Sequence, residues 1–333
     1  MAPIAHPVPT GFASDAVYNR SMIEDSVLSA LSARLSRALA PPRGRYRPLR
    51  IEGHNAGWLD DGRAGQLASM RGVFAVDEHG VRFVDRLDNE ERRTEAIAGI
   101  ARELAEAGEL SAWRDERYAV ARDLGAAPWF LLERAAARYF GIHTHAVHVN
   151  GVVRDGAAVR MWIARRSPAK SIDPGMLDNL VGGGIAAGQT IATTLVKEAS
   201  EEAGMPVPLA SQAQSAGSVH ICREQPDGLQ HETIFAHDLW LPSDFLPAAT
   251  DGEVVEHRLV TLPEAARLIA ADEGAEAVTV DASVVILDFL MRHGEIERDT
   301  TMNKALDALR YRPISLASGQ GRSNGLPFGR PCS

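Results

Sequence analysis

The chain has 333 residues, 45% of them hydrophobic, with a formal net charge of -9 and a pI of about 5.7. That length can hold two compact cores, and the acidic balance leaves no basic field to grip a nucleic-acid backbone, so no nucleic-acid partner is expected. Two cysteines, Cys222 and Cys332, cannot build a disulfide framework or a cysteine zinc site. With no secretory signal at the start and no apolar run long enough to span a bilayer, a cytoplasmic chain without membrane contact is expected.

Residues 1–20 read as a flexible N-terminus. Ser21 to Leu39 carries apolar residues at helical spacing and is stopped by Pro41-Pro42, which predicts an opening helix. Val73 to Val84 alternates apolar and polar residues around Glu78-His79-Gly80, a hairpin pattern. A helix is expected from Asn89 to Ala107, closed by Gly108, and another from Trp129 to Tyr139.

The character of the chain changes near Gly141. Two strand-like runs from His145 to Ile163 flank Asp155-Gly156, a strong hairpin signal. A loop over Ser167 to Leu180, a turn at Gly182 to Gly184, and a helix from Thr190 to Ala203 ended by Gly204 follow. Strands are expected at Gln214 to Ile221, Thr233 to Leu241 and Val254 to Val260, and helices at Pro263 to Ala271 and Ala282 to His293. The expected organisation is an N-terminal α+β domain over 21–140, a layered α/β domain over 141–297, and a tail over 298–333.

The chemistry concentrates in Gly183 to Met205, GGIAAGQTIATTLVKEASEEAGM. On a helix, Glu198, Glu201 and Glu202 stand at i, i+3 and i+4 and project from one face. Such a face is self-repelling unless a cation sits on it, and a hard divalent ion held by carboxylates can also bridge phosphates. An isolated acidic helix face is ordinarily just solvated. Here a glycine turn precedes the helix, Lys197 abuts the first glutamate and Gly204 ends the helix, and the combination is specific.

These residues resemble the Nudix box, G-x5-E-x7-R-E-U-x-E-E-x-G-U with U aliphatic. Gly183, Glu198, Glu201, Glu202 and Gly204 match in register, with Ala199 and Met205 at U positions. Gln189 replaces the first Glu and Lys197 the Arg, and lysine lacks the guanidinium fork. The flanking segments LLERAAARYFGI (131–142), VHVNGVV (147–153), MWIARRSPAK (161–170) and PGMLDNLVGGGIAAG (174–188) are similar to Nudix proteins related to the N-terminal half of fungal thiamine pyrophosphokinase. EGHNAGWL (52–59) and WRDERYAV (113–120) resemble the DUF4743-like N-terminal domain of that subgroup, in which lysine at the Arg position is usual.

The resemblance implies an α/β/α Nudix sandwich with a mixed sheet, and hydrolysis of a small-molecule diphosphate. Glu198, Glu201 and Glu202, with the Gly183 carbonyl, would hold Mg²⁺, for which Mn²⁺ could substitute. Glu201 or Glu202 could act as general base, and Glu253 either supplies a further carboxylate or is a solvated loop acid. Arg165, Arg166 and Lys170 either meet the substrate phosphates or form ordinary basic surface. Asp178 and Asn179 position substrate or cap a turn; Trp162 stacks on a heteroaromatic ring or belongs to the core. His220 and Glu232 carry little weight.

The implied substrate is thiamine diphosphate or its oxo and oxy forms, cleaved to the monophosphate and phosphate. Three alternatives stand beside it. One is hydrolysis of nucleoside diphosphates linked to another moiety. A second is a non-catalytic Nudix-fold sensor. An isopentenyl-diphosphate-isomerase-like protein would need a catalytic cysteine, and Cys222 is far from the box. A homodimer is compatible with everything above.

Overall fold

The computed structural model describes residues 23–38, 40, 42–70, 72–156, 158–271 and 273–296. Expectations for residues 1–20 and 298–333 lie outside this range. In chain order the elements are α1 (Asp25–Ala38), β1 (Tyr46–Ile51), β2 (His54–Asp60), α2 (Asp61–Ser69), β3 (Phe74–Asp77), β4 (Gly80–Phe83), α3 (Glu90–Glu106), β5 (Arg117–Val120) and β6 (Phe130–Glu133). Then come β7 (His143–Asp155), β8 (Ala158–Arg166), β9 (Leu177–Asp178), β10 (Val181–Gly184), α4 (Ile191–Ala203), α5 (Val207–Ala210), β11 (Gln214–Gln225), β12 (Gly228–Leu241), β13 (Val254–Thr261), α6 (Leu262–Ala270) and α7 (Val280–Arg292).

The first half builds a four-stranded sheet in the order β2-β1-β4-β3 and a separate β5-β6 hairpin. Its core joins Leu49, Leu59, Leu67 and Phe74 to Ile97 and Leu104 of α3 and to Phe130 and Phe140. The predicted β3-β4 hairpin forms, pairing Asp77 with Gly80 across Glu78-His79. Asn89 caps α3 by accepting from Arg92 N at 3.0 Å.

Trp129 to Tyr139, expected as a helix, is instead strand β6 followed by a 3-10 turn at Arg134–Ala136. Phe130 and Leu132 are buried at a spacing of two, so the run pairs with β5 in register Arg117↔Glu133 to Val120↔Phe130.

The second half is a seven-stranded mixed sheet with the path β11-β12-β7-β8-β13; β10 adds to β7 and β9 to β8. β12 runs parallel to β7, and β8 and β10 pair antiparallel with it. Val152, Met161, Ile163 and Ile234 face α6 and α7 on one side. Val147, Val149 and Leu239 face Leu195, Ala199 and Ala203 of α4 on the other. Two faces covered by helices make the α/β/α sandwich.

Leu31 and Leu35 of α1 belong to the core beneath α6 and α7. The buried Arg34 donates to Ile269 O at 2.5 Å and Ser283 Oγ at 2.8 Å, and also to Val278 O. The opening helix therefore docks on the second half of the chain. Gly182 to Gly184, expected as a turn, is strand β10, in register from Val181↔Val149 to Gly184↔Ala146. A ladder needs only main-chain groups, and the missing side chains leave space that other residues use.

Candidate active site

α4 starts with a capping box between Thr190 and Thr193 and ends at Gly204, whose φ of 61° suits glycine. Met205 N bonds Ala199 O at 3.0 Å, closing the end of the helix. This framing holds Glu198, Glu201 and Glu202 on a rigid segment against β10. Glu202 is buried and accepts from Gly182 N at 2.8 Å through Oε2. Glu198 lies against Gly183 so closely that a Cβ there would meet its Cγ and Cδ at 2.4 Å.

Two ammonium groups lie on these carboxylates. Lys197 Nζ is 3.0 Å from Glu198 Oε1 and 2.7 Å from Glu201 Oε2. Lys170 Nζ is 3.5 Å from Glu202 Oε1 and 2.6 Å from Glu253 Oε2, and Arg114 donates to Glu253 Oε1 at 2.9 Å. Burial pushes Glu202 up to about 8, against the pull of Lys170 and the Gly182 amide. Burial also raises Glu198, offset by Lys197. Glu253 is buried enough to be raised, yet Lys170 and Arg114 hold it below the usual carboxylate value.

A divalent cation fits this arrangement. The carboxylates already gather positive charge, and the glycine strand leaves a cradle that any side chain would fill.

Gly182, Gly183 and Gly184 form one wall of a cleft of about 150 Å³. The lining also carries the basic Arg114, Arg134, Arg138, Arg166 and Lys170 and the acidic Asp173, Asp178, Asp227, Glu232 and Asp281, with Arg138 paired to Asp227 at 3.4 Å. Arg166 pairs with Asp178 Oδ2 at 2.8 Å and Arg134 with Glu116 at 2.6 Å. Burial raises Asp173, and burial together with Asp281 raises Glu232. Gln230 Nε2 links Asp281 (3.0 Å) to Glu232 (3.2 Å).

Gly183, Arg166, Lys170 and Asp178 line this cleft; Glu198, Glu201, Glu202 and Glu253 stand outside its lining, and Arg165, Trp162 and Asn179 are engaged elsewhere. Arg165 is taken up by Glu256 and Glu276, both at 2.8 Å, and by the carbonyls of Gly175 and Ala275, so its charge is already neutralised away from the site. Trp162 packs in the apolar layer under α4. Asn179 is buried and bonds His148 Nδ1 and Asn150 Oδ1, each at 2.8 Å, which makes it a brace for β7. Gln189 is exposed at the start of α4.

Sequence reasoning expects the N-terminal domain to help select the substrate but names no residue of it at the site. Arg114, Tyr118, Arg134 and Arg138 all line the cleft. Ala187 N bonds Arg117 O at 2.7 Å, and a Cβ on Gly184 would meet the Tyr118 hydroxyl at 2.2 Å. Burial pushes Tyr118 up to about 12. The signals were WRDERYAV and LLERAAARYFGI, whose arginines and tyrosine point nowhere until β5 and β6 dock.

The fold and site together define a layered α/β protein in which three carboxylates of one helix stand against a glycine strand beside a polar cleft. Residues 144–280 match the profile described as "NUDIX domain" and residues 31–144 match "Domain of unknown function (DUF4743)". The chain is 36% identical over 259 residues to "Nudix hydrolase 24, chloroplastic" of Arabidopsis thaliana, covering 77% of this chain and 70% of that one. It is also 36% identical over 269 residues to "Nudix hydrolase 20, chloroplastic" of the same plant, covering 78% and 71%. The chain therefore belongs to the Nudix hydrolase family, whose members generally use divalent metals.

Among solved structures, the MutT protein of Methanosarcina mazei Go1 is 17% identical with a TM-score of 0.35, covering 46% of this chain and 96% of that one. The Nudix domain of Shewanella oneidensis NrtR, solved with ADP ribose, is 11% identical with a TM-score of 0.37, covering 46% and 90%. No helix among the described residues is long and apolar enough to cross a membrane.

Proposed function

We propose that this chain is a Mg²⁺-dependent pyrophosphohydrolase that cleaves thiamine diphosphate, or its oxo and oxy forms, to the monophosphate and phosphate, with Mn²⁺ able to replace Mg²⁺. The observation that carries the reading is the mixed charge of the cleft beside the carboxylate face of α4. Its lining holds the basic Arg114, Arg134, Arg138, Arg166 and Lys170 and the acidic Asp173, Asp178, Asp227, Glu232 and Asp281. A diphosphate suits the first set. A ring bearing N–H donors or positive charge suits the second; an aminopyrimidine has such donors, and the unoxidised thiazolium adds the charge.

Glu198, Glu201, Glu202 and the Gly183 carbonyl would hold the metal. When bound, that ion neutralises phosphate oxygens and lowers the pKa of the attacking water. Arg114, Arg134 and Lys170 orient the diphosphate. Phosphate oxygens compete for Lys170 and Arg114, the two cations that hold Glu253 down, so the Glu253 carboxylate becomes more basic as substrate arrives and takes the water proton at Oε2. Glu202, buried and tied to Gly182 N, is better placed to hold than to shuttle protons.

The test is Mg²⁺-dependent phosphate release from a panel of thiamine diphosphate, its oxo and oxy analogues, ADP-ribose and nucleoside diphosphate sugars. Selective turnover of the thiamine-type compounds, lost in Glu201→Gln, is expected. Preference for the nucleotides would overturn the substrate assignment, and tight binding without turnover would make the protein a sensor.

A further inference from the structure

Four imidazoles gather on one face of the sheet, the face that α4 covers further along β7 and β12. His143 and His145 come from β7, His231 from β12 and His220 from β11. The registers His143↔His231, His145↔Thr233 and His220↔Thr233 put them on the same side. Ring centroids of His143 and His231 are 4.5 Å apart and nearly parallel, those of His220 and His231 5.0 Å, and those of His143 and His220 5.5 Å.

One nitrogen from each of His143, His220 and His231 lies within 4.8 Å of the others. His143 Nε2 and His220 Nδ1 lie 2.8 and 3.4 Å from the Thr233 hydroxyl. His231 Nδ1 is buried without a hydrogen-bond partner, an arrangement that buried polar atoms rarely tolerate without an ion or water.

We propose that His143, His220 and His231 form a second metal site, a three-imidazole site for a borderline ion of the Zn²⁺ class. Imidazoles favour Zn²⁺ and its neighbours over Mg²⁺, which takes oxygen ligands, so this site and the glutamate site select different ions. Zinc–nitrogen bonds of about 2.0–2.1 Å need the three nitrogens drawn somewhat closer than they stand, which side-chain rotation on fixed strands can supply. Burial first, then neighbouring rings, holds His231 at about 3, so its ring is an uncharged donor at neutral pH.

The site spans three strands, and β11 is the edge of the sheet. An ion there ties that edge to β7 at the sheet's centre. His231 also lines the cleft, so the ion would brace one wall of it. His145 lies 4.6 Å from His143, ring to ring, but stands outside the three-residue set.

The test uses the full chain, stripped of metal, carrying Glu198→Gln and Glu201→Gln to remove the carboxylate site. Zn²⁺ is titrated by competition with a chromophoric chelator, and Co²⁺ is followed by its visible tetrahedral bands. One equivalent of each should bind and raise the thermal midpoint. His231→Gln should weaken binding at least about tenfold and erase the Co²⁺ bands, while His145→Gln should retain both.

Should His231→Gln fail to fold, His220→Asn at the sheet edge gives the same readout. Absence of Zn²⁺ binding in the parent, or binding undiminished by both His231→Gln and His220→Asn, would overturn the proposal. This outcome is independent of which diphosphate is cleaved.

Discussion

Lys170 Nζ lies 2.6 Å from Glu253 Oε2, joining the loop after β8 to the loop before β13 across the mouth of the carboxylate site. With Glu202 Oε1 at 3.5 Å, the same ammonium bridges two acids, and its side chain is only 9% exposed. Lys170→Met leaves the buried Glu202 without its cation and Glu253 with Arg114 alone. The metal-free protein should lose about 1–3 kcal/mol of stability, and kcat/KM should fall about 100-fold. Urea unfolding with and without Mg²⁺ checks the first effect. Added Mg²⁺ should restore part of the stability and little of the activity.

Gly183→Ala places a methyl where Glu198 Cγ and Cδ lie at 2.4 Å. Glu198 must swing off the strand, and Mg²⁺ affinity should weaken by about 10–100-fold. Activity titrated against Mg²⁺ measures this directly. An unchanged half-saturating concentration would remove Glu198 from the metal site.

Arg134 comes from the first half of the chain, lines the cleft and is held by Glu116 at 2.6 Å. Arg134→Ala should raise KM by about tenfold or more, the scale of one hydrogen bond to a charged group. The circular dichroism spectrum should not change. An unaltered KM would mean that the first half only frames the cleft.

Asp238 gives a pH-dependent prediction away from the site. Burial raises its carboxyl, but the His293 ring 3.7 Å away and hydrogen bonds from Arg292 and Asn150 hold it down to about 2. A folded pKa below the ordinary aspartate value of 3.8 means stability that is present above that value and lost as pH falls toward about 2. The loss should be about 2 kcal/mol. Asp238→Asn should be less stable than the parent near neutral pH, and the gap should close on acidification. A gap that stays constant down to about pH 2 would show that the Arg292 pair contributes no linkage.

Glu198, Glu201 and Glu202 were legible from the sequence because helical spacing alone puts them on one face, and Gly204 because a left-handed helix end favours glycine. The β3-β4 and β7-β8 hairpins and the long helix α3 were legible too, since their signals are local alternation, turn residues and caps. Tertiary pairing decided the rest. Phe130–Glu133 is a strand because β5 is beside it, and Val181–Gly184 is a strand because β7 offers a free ladder.

The same holds for side chains whose partners are distant in sequence. Arg165 and Arg166 are neighbours that point to opposite faces, so one meets Glu256 and Glu276 while the other meets Asp178 at the cleft. Arg134, Tyr118 and the histidines of β7, β11 and β12 gained neighbours only when the strands took their register. A spacing along one helix is a geometric statement the sequence makes by itself. The convergence of residues from β5 and α4 on the glycine strand β10 is decided by packing between elements, which no local pattern encodes.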